Sequence, residues 1–147
     1  MNVLIATGTG MSYIAAQRFA YLARAFGVAS VAYHAADWGH GQGSVRPEDC
    51  LIGFSYSGKT PETLEALIKT KLKREQKILL SSVNVESKHF RCIVNAAQPV
   101  EEFYPKKAFS QMCDAGDFVL ETYCTLMDFP WQENYKAGHP HGVWGKK

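Results

Sequence analysis

The sequence predicts an α/β domain built on a parallel sheet covered on both faces. Short apolar runs alternate along the chain with segments whose apolar residues recur at helical spacing. Glycine- and serine-rich turns sit between a strand and a helix at Gly8–Ser12 and again at Ser55–Thr60. A length of 147 residues, 46% of them hydrophobic, suits one core, so residues 1–147 are read as a single domain.

Taken in order, Asn2 to Thr7 is the first strand and Gly8-Thr9-Gly10-Met11-Ser12 a glycine turn in which Ser12 suits a helix N-cap. Ala15, Ala16, Phe19, Ala20, Ala23 and Phe26 mark a helix ended by Gly27. Ser30 to His34 is the second strand, and a glycine-rich connection follows from Ala35 to Pro47. Cys50 to Phe54 reads as a buried third strand. Thr60 then suits an N-cap and Pro61 the first position of a helix with Leu64, Leu67, Ile68 and Leu72 on its apolar side. Lys77 to Ser82 gives a fourth strand and Cys92 to Ala96 a shorter fifth. A charged turn, Glu101 to Lys107, precedes a helix from about Ser110 to Phe129. The tail from Pro130 to Lys147 is rich in Gly, His and Trp, with one short helix near Gln132 to Ala137.

Composition narrows the function classes. The net charge of +2 is too small to imply a nucleic-acid partner. Lys69, Lys71, Lys73, Arg74 and Lys77 cluster at the end of the second helix, where cations complement the dipole, and read as a solvated helix end. Cys50, Cys92, Cys113 and Cys124 form no close pair and lie in apolar surroundings, as buried, reduced thiols would. No apolar run approaches a membrane span, and no signal pattern precedes the first strand. A soluble cytoplasmic protein is expected. No His/Cys/Asp spacing resembles a zinc site, so neither a metal nor another cofactor is expected.

The stretch Phe54-Ser55-Tyr56-Ser57-Gly58-Lys59-Thr60-Pro61-Glu62-Thr63 organises the chain. It places hydroxyl donors and free backbone N–H groups between a strand's carboxyl end and a helix's positive end, which is what a phosphate needs. An ordinary strand–turn–helix loop has the same composition. The first glycine turn does not complete a dinucleotide fingerprint, since Tyr13 stands where a third glycine belongs and Asp37 lies within a glycine loop. Gly8, Gly10 and Ser12 suit a small anion or a close backbone approach instead.

Three segments occur in the order and spacing of a sugar isomerase (SIS) domain: Gly8-Thr9-Gly10-Met11-Ser12, Ala36-Asp37-Trp38-Gly39-His40-Gly41, and Ser55 to Glu62. Glu101-Glu102-Phe103-Tyr104-Pro105, Gly116-Asp117 and His139-Pro140-His141-Gly142-Val143-Trp144-Gly145 extend the likeness, so that the chain resembles arabinose-5-phosphate isomerases from Val3 to Gly145. The resemblance implies a three-layer α/β/α sandwich, flavodoxin-like, with a five-stranded parallel sheet. It also implies a homo-oligomer, dimer or tetramer, acting on a small-molecule sugar phosphate. On it, Ser12, Ser55, Ser57 and Thr60 match the hydroxyl residues that hold the phosphate. His40, Glu62, Glu102 and His139 match those around the reacting end of the sugar. Opening the ring and moving a proton between adjacent carbons through an enediol needs an acid/base at the ring oxygen and another at C1/C2. Glu102 is the expected proton-transfer base, with the register open to Glu101, and His40 or His139 serves ring opening. Glu62 is a hydrogen-bonding or second acid/base group.

The chain also departs from that pattern. Met11 stands where the isomerases carry a lysine, and Lys106-Lys107-Ala108-Phe109-Ser110 replaces a Thr/Ser-rich helix entry. Lys59, Lys106 or Lys107 are candidates to restore the charge. Helical sequence before the first strand and a regulatory domain after the tail are not found, so a minimal single SIS domain is expected, with surface that needs a partner subunit as cover. Two functions of different class stay open: an aldose–ketose isomerase, for a pentose, hexulose or heptose phosphate, and a sugar-phosphate-binding module without turnover.

Overall fold

Strand β1 (Leu4–Gly8) lies between β2 (Ser30–His34) and β3 (Cys50–Phe54), and β4 (Lys77–Ser81) and β5 (Arg91–Val94) extend the sheet in the order β2-β1-β3-β4-β5. Every pairing is parallel, and Gly8 stands opposite both His34 and Phe54, so three strands end at one level. The computed structural model describes residues 2–41, 45–94 and 105–126, and of residues 40, 41, 105–107 and 126 the backbone alone.

Helices α1 (Gly10–Ala25), α2 (Trp38–Gly41), α3 (Pro61–Lys69) and α4 (Pro105–Leu126) flank the sheet. A sheet covered on both faces buries consecutive residues of a strand, which is why all five residues of β1 are buried. Leu4, Ala6, Ile52, Phe54 and Leu80 point to one face and pack against Ala15, Ala16, Phe19 and Ala23 of α1 and Met112 and Leu120 of α4. Ile5, Leu51 and Leu79 point to the other and pack against Trp38, Ala66, Leu67 and Phe90. The result is the expected three-layer α/β/α sandwich.

Small residues set how closely the layers approach. A Cβ on Gly53 would lie 2.9 Å from both Leu67 Cδ1 and Thr63 Cγ2, so α3 sits directly on β3. A Cβ on Gly116 would come within 3.1 Å of Phe54, which brings α4 onto the sheet at its carboxyl end. The Arg18 guanidinium donates to both Asp117 oxygens, at 2.7 and 3.3 Å, and fixes α1 against α4. On the opposite face Trp38 Nε1 donates to Thr70 Oγ1 at 2.6 Å, tying α2 to the end of α3.

Several boundaries differ from the sequence reading. Helix α1 starts at Gly10, so Ser12 lies in its first turn and Thr9 is the N-cap. Helix α3 stops at Lys69, leaving Leu72 beyond it, because Thr70 turns extended and its hydroxyl bonds back to Ala66 O at 2.6 Å. Helix α4 starts at Pro105 rather than Ser110, since proline suits a first turn that lacks acceptors for its N–H groups. The loop after β2 contains a 3₁₀ turn, Ala35–Asp37, and the short α2. Strand β5 begins one residue early, at Arg91, while Asn95 and Ala96 lie outside the described residues.

Two surface expectations also change. Lys77 does not belong to a solvated cluster: it is 4% exposed, and its Nζ donates to Thr70 O at 2.9 Å. Burial lowers its pKa from the usual lysine value. All four cysteines are free thiols, but only Cys113 and Cys124 are buried, and Cys50 and Cys92 are half-buried. Burial pushes the Cys113 thiol up to about 11. Among the described residues no helix is long and apolar enough to cross a membrane.

Candidate functional site

The chain leaves β1 toward one face of the sheet, into α1, and leaves β3 toward the other, into α3. Neighbouring parallel strands whose connections part in this way open a crevice at their carboxyl ends. Both glycine- and serine-rich turns lie there.

The first turn of each helix is aimed into the crevice. In α1 the first intrahelical bond runs from Tyr13 N to Thr9 O at 3.1 Å, so the amides of residues 10–12 have no helical acceptor. In α3 it runs from Leu64 N to Thr60 O at 3.0 Å, and Pro61 has no N–H to satisfy. Two helix N-termini therefore present positive ends to one space.

The serine loop between β3 and α3 is held from below. Ser55 is 1% exposed; its Oγ accepts from Gly58 N at 3.1 Å and shares a 2.8 Å hydrogen bond with Thr60 Oγ1. Gly58 turns the loop at φ 71°, a left-handed conformation that suits glycine. Ser57 is exposed, and its Oγ accepts from Lys59 N at 3.1 Å. The Tyr56 carbonyl accepts from Ser82 N and Ser82 Oγ, at 3.0 and 2.6 Å, which fastens the loop to the end of β4.

Above this loop lies a cavity of about 320 Å³, lined by Thr9, Met11, Ser12, Tyr56, Ser57, Thr60, Ala108 and Phe109. It brings Ser12, Ser57 and Thr60 together from segments some fifty residues apart, and Met11 lines it too. Ser55 lies beneath the loop, outside that lining. Thr9, Tyr56, Ala108 and Phe109 were not singled out from sequence. Thr9 could have been, as the residue leaving β1. Ala108 and Phe109 carry no chemical signal, and only the packing of α4 on the sheet brings them here.

The acid/base candidates are placed differently. Glu62 is exposed in the first turn of α3 and lines a second hollow of about 220 Å³, with Ala35, Trp38, Gly39, Glu65 and Lys69. That hollow joins Glu62 to the α2 segment carrying His40, on the far side of α3 from Met11 and Phe109. Lys59 is exposed at the tip of the serine loop. The side chains of His40, Lys106 and Lys107, and all of Glu101, Glu102 and His139, lie outside the described residues. Among the described residues no group of His, Cys, Asp and Glu could hold a metal ion.

Residues 2–117 match the family model of the SIS domain. No curated protein matches the chain. Among solved structures, it resembles a Bacteroides fragilis protein provisionally described as a phosphosugar isomerase involved in capsule formation, with a TM-score of 0.70 and 23% identity over 93% of this chain and 76% of that one. The Escherichia coli CFT073 protein c3406, in complex with arabinose 5-phosphate, aligns with a TM-score of 0.70 and 22% identity, over 89% of this chain and 73% of that one. The Vibrio vulnificus NanR protein, complexed with ManNAc-6P, aligns with a TM-score of 0.68 and 17% identity, over 84% of this chain and 48% of that one.

Proposed function

We propose that this chain, which belongs to the SIS domain family, holds a sugar phosphate at the crevice between β1 and β3 and interconverts its aldose and ketose forms. One observation carries this: Ser12 and Thr60, at the N-termini of α1 and α3, line a single cavity with Ser57. In this reading Ser12, Ser57 and Thr60 hold the phosphate, and Ser55 fixes the loop that presents Thr60. The sugar extends from the phosphate toward Glu62 and the segment bearing His40. Glu102 moves the proton between C1 and C2, and His40 or His139 assists ring opening. Arabinose 5-phosphate and ribulose 5-phosphate are the first pair to test, on the resemblance to arabinose-5-phosphate isomerases. A homo-oligomer completes the proposal, with the segment bearing His139 reaching a neighbouring subunit's site.

A second reading is favoured by Met11. It lines the cavity where the isomerases carry lysine, and a site that binds through hydroxyls and helix ends can sense a phosphosugar without turning it over. Exchange assays on pentose, hexose and heptose phosphates decide between the two. Under the first reading, wild type incorporates solvent deuterium at C2 of one substrate, and Glu102→Gln lowers turnover by at least ~10²-fold with binding retained. Glu101→Gln is the mild control. Binding without exchange on every sugar establishes the second.

A further inference from the structure

Away from the serine loop, a hollow of about 760 Å³ opens at the β5 edge of the sheet, lined in part by Arg74, Asn84, Glu86, Ser87, Lys88 and Arg91. Three cations face one carboxylate there. Arg74 stands on a braced 3₁₀ turn, since Gln76 Nε2 donates to Pro47 O and Asp49 O at 2.7 and 2.8 Å. Its Nε donates to Ser87 O at 3.2 Å, and its two terminal nitrogens have no partner among the described residues. Lys88 and Arg91 are exposed and form no ion pair among the described residues. Like charges gathered on one hollow repel, and an anion with several charges relieves that repulsion.

The wall of the hollow is the connection from Ser82 to Phe90, which is built without a helix and fixed at both ends. Val83 N donates to Ser81 Oγ at 3.1 Å, His89 N to Ser87 Oγ at 3.0 Å, and Cys92 Sγ to Val83 O at 3.7 Å. The backbone that carries Asn84, Ser87 and Lys88 is thus braced before any ligand arrives. The same connection packs under the serine loop: a Cβ on Gly58 would lie 2.7 Å from Val85 Cγ2.

We propose that this hollow is an effector site for a small molecule bearing a di- or triphosphate group. Arg74, Lys88 and Arg91 grip the phosphates, while Asn84 and Ser87 supply neutral partners. Because Ser87 and Lys88 belong to the segment that supports Gly58, a bound polyphosphate restrains the serine loop from behind.

The test is calorimetric titration with inorganic triphosphate, alongside hydrogen exchange at the amides of residues 57–59. Wild type binds one triphosphate at this hollow, and exchange at the serine loop slows. Arg74→Glu/Arg91→Glu weakens binding by about tenfold or more, the scale of losing one charge-assisted hydrogen bond. Lys69→Glu/Lys71→Glu changes the net charge equally and leaves affinity within about twofold, as exposed charges screened by salt should. Equal losses in the two charge-reversal variants would show diffuse attraction and overturn the site. Ser57→Ala/Thr60→Ala retains triphosphate binding, which separates this proposal from the function of the serine loop; loss of binding in that variant overturns it. Binding that leaves loop exchange unchanged overturns the effector role.

Discussion

Ser55→Ala tests whether the serine loop is organised as its geometry implies. The substitution removes the oxygen of a residue that is 1% exposed, an oxygen that bonds both Gly58 N and Thr60 Oγ1. Gly58 N keeps a second acceptor, Ser55 O at 3.1 Å, so the loss amounts to one full hydrogen bond and part of another. At about 1 kcal/mol for each neutral hydrogen bond, stability falls by about 1–2 kcal/mol. For a domain of this size that is a drop in Tm of about 3–8 °C, read by thermal unfolding. Sugar-phosphate affinity falls only about fivefold, because Thr60 stays in place but its hydroxyl is no longer aimed. Ser57→Ala should behave the opposite way. Its hydroxyl is exposed, so stability stays within about 0.5 kcal/mol. Loss of a bond to a charged ligand, about 1.5–3 kcal/mol, weakens binding by roughly ten- to hundredfold. An unchanged Tm in Ser55→Ala, together with a larger loss of affinity than in Ser57→Ala, would refute this division of labour and make Ser55 a direct ligand.

Gly58→Ala places a side chain at φ 71° and a Cβ 2.8 Å from Ser81 Oγ, which is itself bonded to Val83 N. Denaturant unfolding should show a loss of about 2–4 kcal/mol, and a loss under 1 kcal/mol would mean that the loop can re-form. Lys77→Met replaces a buried cation whose folded pKa is lowered by burial. A group that binds its proton more weakly when folded costs stability while charged, and the cost is relieved as pH rises through the folded pKa toward the ordinary value of 10.5. Wild type should therefore gain stability relative to Lys77→Met on going from pH 7 to pH 10, and a constant difference contradicts the assignment.

Most of the fold was legible because it depends on periodicity. Cys50 to Phe54 reads as buried strand from composition alone, and it is one. That the strands run parallel follows from the same alternation, since parallel strands need crossovers, although the connection from β4 to β5 makes its crossover without a helix. Boundaries were less legible where a single side chain decides them. Thr70 ends α3 by bonding Ala66 O, and Lys77 turns inward to reach Thr70 O, two consequences of one local chain reversal that a count of lysines cannot show.

The site divides along the same line. The half proposed to bind an anion is made of backbone ends, and those lie wherever strands β1 and β3 end together, at Gly8 and Phe54. Turn composition at two places in the sequence was therefore enough to point to this crevice. Which serine faces the cavity is a different kind of fact. Ser55 and Ser57 are two apart and chemically identical, yet one is buried beneath the turn and the other stands on it, because Gly58 reverses the chain between Ser57 and Thr60. Glu62 shows the same limit at the other end. Two residues beyond Thr60, it points to the α2 side of α3 and lines a separate hollow, since a helix turns by about 100° per residue. A sugar bridging both hollows must cross the N-terminus of α3. That makes the first turn of α3, where Pro61 has no N–H and the amides of Glu62 and Thr63 are left without a helical acceptor, the element on which phosphate binding and the reacting end of the sugar would have to meet.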